Sequence, residues 1–185
     1  LAFRLGSGDA VVLRGPNGSG KTTLLRLMAG LCRLSGGKMA WNEAEIDDFE
    51  AHGANLRFIG HLDAVKPALT VAENLEFWCN LWANPAGDTQ QAAAKLGLGH
   101  LAGFPARLAL ARLVVAPAPL WLLDEPGNAL DDASLNALAT IIADHRNRGG
   151  MVVIASHGST VVERGAVLDV GAFTGVQEAH WSEAV

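Results

Sequence analysis

The run Gly15-Pro16-Asn17-Gly18-Ser19-Gly20-Lys21-Thr22 carries the densest chemistry in the chain. A glycine, four residues, then Gly-Lys-Thr is a spacing that suits a chain of phosphates. Glycines let successive backbone N–H groups turn inward around phosphate oxygens, where side chains would obstruct them. Lys21 brings a positive point charge to the β- and γ-phosphates, and the Thr22 hydroxyl is a hard oxygen donor for Mg²⁺. Thr23-Leu24-Leu25 opens an apolar stretch at helical spacing, and a helix there adds the positive end of its dipole. These residues predict binding of a nucleoside triphosphate. The competing reading is a glycine-rich turn that merely joins a strand to a helix.

A second group of residues has matching chemistry. Leu120-Trp121-Leu122-Leu123 is an apolar run that ends in Asp124-Glu125. At the C-terminal end of a strand, two carboxylates face the crevice that holds phosphate. Asp124 is placed to hold Mg²⁺, and Glu125 to orient or deprotonate an attacking water. Taken alone, Asp124-Glu125-Pro126-Gly127 also reads as an acidic turn. Ile154-Ala155-Ser156-His157 ends another apolar run, which puts His157 at the same crevice, within reach of the γ-phosphate or the water. A solitary histidine is otherwise an ordinary surface residue.

The elements that must position these groups are legible as alternating patterns. Ala10–Leu13, Leu56–Ile59, Leu120–Leu123 and Met151–Ala155 are short apolar runs, as buried parallel strands are. Leu1–Leu5, Lys38–Trp41 and Ala166–Val170 read as further strands. Lys21–Leu31, Val71–Leu81, Gln90–Leu96, Ala106–Val115 and the stretch around Leu135–Ile142 read as helices. Gly6-Ser7-Gly8-Asp9, Ser35-Gly36-Gly37, Asn84-Pro85-Ala86-Gly87 and Gly149-Gly150 punctuate them. Strands alternating with helices imply an α/β domain with a mostly parallel sheet covered on both faces.

Composition narrows the class. The 185 residues suit one domain, half of them are hydrophobic, and only 18% are charged. A net charge of −5 argues against a protein that coats nucleic acid. No apolar run is long enough to span a bilayer. Cys32 and Cys79 have no ligand pattern around them and read as structural thiols in a reducing compartment. The six histidines show no metal-ligand spacing. The chain opens at Leu1 inside an apparent strand, which implies an incomplete N-terminus.

With these residues in hand, the chain resembles a family. Gly15–Thr22, Leu120–Glu125, Asn128-Ala129-Leu130-Asp131 and His157 are similar to the Walker A, Walker B, D-loop and switch-histidine motifs of ABC transporter ATP-binding subunits. The resemblance runs from Leu1 to Val170. It implies a P-loop NTPase fold: one nucleotide-binding domain over residues 1–185, with a mostly parallel sheet core and an inserted, shortened helical subdomain at about 69–115. It implies that ATP is bound by Gly15, Pro16, Asn17, Gly18, Ser19, Gly20, Lys21, Thr22, Thr23, His61 and Asp131. Thr22 and Asp124 would hold Mg²⁺, and Glu125 and His157 would be catalytic. The implied partners are a second ATP-binding subunit, in a head-to-tail dimer that traps two ATPs, and integral-membrane transporter subunits. The implied place is peripheral, on the cytoplasmic face of the inner membrane. The passage from Ile59-Gly60-His61 to Leu69-Thr70-Val71-Ala72-Glu73-Asn74-Leu75, and Pro119–Pro126, resemble more narrowly the haem-exporter subfamily of c-type cytochrome maturation.

The sequence also departs from that pattern. Ungapped counting back from Leu69-Thr70-Val71 puts His61 where the family carries a glutamine. The family's Leu-Ser-Gly-Gly-Gln-like signature is not found before Arg107–Leu113; the count lands on His100–Phe104, where only Gly103 is in register. The upstream aromatic that stacks on adenine in the family is also missing, with Phe3 as a substitute candidate. Two functions therefore stay open: an ATPase subunit that drives a transporter, or a degenerate subunit that binds ATP without efficient turnover. Trp78 and Trp82, four apart on one helix face, are candidates for packing or docking.

Overall fold

The computed structural model describes residues 1–61, 64–82, 88–96, 105–128, 130–157 and 162–173. The apolar runs become the strands β1 (Ala10–Arg14), β4 (Leu56–Ile59), β5 (Leu120–Asp124), β6 (Met151–Ala155) and β7 (Ala166–Asp169). They form one sheet in the order β4-β5-β6-β1-β7, and every pairing in it is parallel. Parallel strands place all their C-terminal ends on one edge of the sheet. That edge carries the residues following Ile59, Asp124, Ala155, Arg14 and Asp169.

Alternate side chains leave each strand on opposite faces, and both faces are covered. On one face Val12, Trp121, Leu123, Val152 and Ile154 join a core with the helices α3 (Val71–Leu81), α5 (Pro105–Val115) and α6 (Asp132–Asn147). On the other, Val11, Leu13, Leu122 and Val153 meet Leu25 of helix α1 (Lys21–Met28). Helix α4 (Thr89–Lys95) packs with α3 and α5. Helix α5 is buried almost all round, Arg107 and Arg112 included.

Local chemistry sets the helix ends. Thr70 and Glu73 form a reciprocal capping box at the start of α3, and the two hydrogen bonds from Thr70 hold the Glu73 carboxyl below its ordinary range. Asp88 caps α4 and Asp131 caps α6. Asn74 is 1% exposed and holds the turn before α3: its side chain accepts from the Lys66 N–H and donates to the carbonyls of Lys66, Leu69 and Thr70.

Several expectations change. Leu1–Leu5 forms no strand. Both flanks of β1 are taken, by β6 and β7, so the segment cannot pair with β1. Helix α1 stops at Met28 and not at Leu31, because Gly30 turns left-handed (φ 73°) and Leu31 N–H bonds back to Arg26 O, leaving Leu31 exposed. The expected strand at Lys38–Trp41 shortens to β2 (Ala40–Trp41). It pairs with β3 (Ala44–Glu45) in a separate hairpin whose turn residues Asn42 and Glu43 both have positive φ. A short helix α2 (Phe49–Gly53), capped by Asp48, was not expected from the sequence. Trp78 and Trp82 stack on each other at 4.8 Å, with Arg112 over the first ring and Arg57 over the second. They fasten α3 to α5 and β4.

Candidate functional site

The loop Gly15–Gly20 links β1 to α1 at the C-terminal edge of the sheet. Three of its glycines have positive φ: Gly15 at 140°, Gly18 at 81° and Gly20 at 93°. At Gly15 the requirement is also steric, since a Cβ there would stand 2.7 Å from Ser19 Oγ and 3.0 Å from Gly171 N. Ser19 is buried, and its Oγ has no hydrogen-bond partner. Lys21 is buried as well. Its ammonium folds back over the loop and donates to Gly15 O at 2.8 Å and Pro16 O at 3.0 Å. The loop thus closes around a buried cation, which is the charge a phosphate chain needs.

The next strands bring the carboxylates to the same place. Thr22 Oγ1 donates to Asp124 Oδ2 at 2.9 Å and lies 3.2 Å from Oδ1, across 102 positions of sequence. Asp124 is 5% exposed, so these hard oxygens are paired out of water. Glu125 leaves the strand with φ 52°, an uncommon conformation for a residue with a Cβ. Its N–H is held by Ala155 O at 2.9 Å, and its own carbonyl accepts from Asn128 N–H at 3.1 Å. The Glu125 carboxylate meets His157 from the end of β6: His157 N–H donates to Oε2 at 3.4 Å, and Nε2 lies 3.5 Å from Oε1. Oε1 is buried and makes no hydrogen bond. Glu125 borders a site with room for a polar guest.

That room is a cavity of about 220 Å³ beside Glu125. Its walls come from His61 and Gly60 after β4, from Ala109 and Leu110 of α5, and from Asp124 and Glu125 at the end of β5. His61 is exposed at its rim. The structure thus brings Lys21, Thr22, Asp124, Glu125, His157 and His61 to one edge of the sheet.

Asp131 stands at the start of α6. Its Oδ1 accepts from both the N–H (2.9 Å) and the hydroxyl of Ser134, and its Oδ2 pairs with Arg107 at 2.6 Å. The hydrogen bonds from Ser134, and then the Arg107 charge, hold this carboxyl below its ordinary range. The carboxylate caps α6 and ties it to α5. Its neighbour Ala129, and the stretch His100–Phe104 where the signature count lands, lie outside the described residues. Sequence reasoning missed the Arg107–Asp131 and Asp131–Ser134 contacts; the signal for the second was the Asp-x-x-Ser spacing of an N-cap.

Comparisons with known proteins agree with this geometry. The family described as ABC transporter matches residues 1–128. The chain is 50% identical over 171 residues to the cytochrome c biogenesis ATP-binding export protein CcmA of Paramagnetospirillum magneticum, covering 85% of this chain and 79% of that protein. It is 45% identical over 183 residues to CcmA of Rhodospirillum rubrum, covering 94% and 78%. It is 40% identical over 176 residues to ABC transporter I family member 1 of Arabidopsis thaliana, covering 89% and 76%. Among solved structures, the ATP-binding subunit of an ABC transporter overlays with a TM-score of 0.73 at 21% identity, over 91% of this chain and 78% of that one.

Proposed function

The chain belongs to the ABC transporter family, and on that footing we propose that it is the ATP-binding and ATP-hydrolysing subunit of a transporter for c-type cytochrome biogenesis, of the haem-export type. The observation that carries the reading is the Thr22–Asp124 contact, which joins the phosphate loop to the carboxylate pair. Gly15–Thr23 cradle the phosphates with backbone N–H groups, and Lys21 exchanges two carbonyls for phosphate oxygens. Thr22 and Asp124 offer the hard oxygen donors that suit Mg²⁺, which when bound offsets charge on the phosphates. Glu125 orients and deprotonates the attacking water, and His157 holds the Glu125 carboxylate from the neighbouring strand. His61 contacts the nucleotide or its water from the opposite wall of the cavity. Asp131 acts indirectly, by fixing α6 against α5.

In this reading residues 1–185 form one nucleotide-binding domain whose helical subdomain spans about 69–115. It works beside a second ATP-binding subunit and integral-membrane subunits, and nucleic acid has no part. No helix among the described residues is long and apolar enough to cross a membrane, which suits a peripheral subunit at the cytoplasmic face of the inner membrane. A second reading, ATP binding without turnover, is favoured by the missing signature before Arg107. Lys21→Ala is expected to abolish ATP binding, and Glu125→Gln to keep binding while lowering hydrolysis about 10²- to 10⁴-fold. Unchanged turnover in Glu125→Gln refutes the role of that residue. ATP binding with no turnover in the wild type, purified with its membrane subunits, selects the second reading.

A further inference from the structure

A cavity of about 590 Å³ lies away from the phosphate loop. Pro119 and Gly150, in its wall, stand directly before β5 and β6. It therefore lies at the N-terminal edge of the sheet, opposite the edge that carries Lys21, Asp124 and His157. It shares no lining residue with the cavity beside Glu125. Lys95 of α4, Leu113 of α5 and Ile141 of α6 come together in its wall, so it sits where three helices and the sheet meet. Its volume is in the range that holds a small organic ligand.

The wall is largely apolar, with charge at a few points. Leu113, Val114, Pro117 and Ile141 supply apolar surface. Trp121 and His145 add a flat, stacked pair, with ring centroids 3.8 Å apart and planes 3° from parallel. Burial first, then the charge of Arg148, pushes the His145 pKa down, so this ring is uncharged at neutral pH. The fixed charges are Lys95, Arg148 and Asp144, two cations to one carboxylate. Lys95 Nζ stands 4.0 Å from Asp144 Oδ2, the longest ion pair among the described residues. Arg148 makes no ion pair among those residues. A carboxylate entering the cavity would meet an uncompensated guanidinium, whose planar fork matches its two oxygens.

We propose that this cavity binds a small organic carboxylate, with its apolar body against Leu113 and Ile141 and its anionic head on Arg148. Such a ligand bridges α4 to α6, adding to the loose Lys95–Asp144 pair. The site does not depend on the nucleotide-binding function proposed above. The test is calorimetric titration of the whole chain with octanoate and with its uncharged counterpart, octanol. Octanoate is expected to bind more tightly than octanol. Arg148→Gln is expected to weaken octanoate about tenfold, the worth of a charge-assisted hydrogen bond, and to leave octanol unchanged. Asp144→Asn removes the carboxylate that competes for Lys95 and is expected to tighten octanoate. Arg33→Gln makes the same charge change at an exposed position outside the cavity, and is expected to alter neither probe. No octanoate binding at millimolar concentration, unchanged octanoate affinity in Arg148→Gln, weaker octanoate binding in Asp144→Asn, or an equal loss in Arg33→Gln overturns the proposal.

Discussion

Gly15→Ala tests the tightest point of the site. The substitution adds one methyl group at φ 140°, a region that side chains rarely enter. Backbone strain of this kind costs of order 1–3 kcal/mol. The added Cβ also overlaps Ser19 Oγ at 2.7 Å and touches Gly171 N at 3.0 Å. Ser19 is 6% exposed, so its side chain has little space to rotate away, and Gly171 N is backbone. Overpacking adds of order 1–3 kcal/mol. A combined cost of about 3 kcal/mol corresponds to roughly a hundredfold loss in an equilibrium constant. Gly18→Ala is the control: φ is 81° and no atom lies within 4 Å of the added Cβ. Only left-handed strain of about 1 kcal/mol applies there. Urea unfolding of the ligand-free chain and calorimetric ATP titration together capture the cost, whether it falls on the fold or on re-forming the cradle. Equal effects at Gly15 and Gly18, or no loss at Gly15 in either assay, refute the steric argument.

Three further outcomes follow from the same geometry. Thr22→Val removes the hydroxyl that joins Asp124, so the gain in ATP affinity on adding Mg²⁺ is expected to vanish; a preserved gain in titrations with and without the metal contradicts the assigned donor set. Asn74→Ala strips the turn before α3 of its buried partners and is expected to cost about 2–3 kcal/mol in urea unfolding, with an unshifted midpoint counting against it. His145 is stacked on Trp121 with ring centroids 3.8 Å apart, and burial first, then the Arg148 charge, pushes its pKa down. The unfolded chain then takes up the proton before the folded one, so this part of the stability is complete above histidine's ordinary value of about 6.5 and is lost as pH falls below it. Stability measured from pH 8 to pH 5 should fall, and His145→Phe should flatten that limb; an identical slope in the variant removes His145 as the cause.

Much of the site was legible because its chemistry is local. Gly15–Thr22, Asp124-Glu125 and His157 each sit within a few residues of the apolar run that places them. The strands Leu56–Ile59 and Met151–Ala155 and the helix Val71–Leu81 have the bounds that their patterns predict. Where local pattern was the guide but partners were required, the reading failed. Leu1–Leu5 has strand composition, yet both edges of β1 are occupied. The packing of Trp78 and Trp82 was readable from their shared helix face, but not that Arg57 and Arg112, distant in sequence, hold them.

Residue type and spacing by themselves fixed the phosphate-binding chemistry, the paired carboxylates and an α/β class, because short-range sterics and periodicity encode them. Sheet order decided the rest. Placing β1 between β6 and β7 put the carboxylates on one side of the loop and strand β7 on the other, and no local periodicity carries that information. The Thr22–Asp124 bond, the Glu125–His157 contact and the Arg107–Asp131 pair close over 102, 32 and 24 positions. Such contacts form only when burial of both sheet faces offsets the entropy of bringing distant segments together, so they belong to the tertiary structure and not to the sequence motifs that it joins.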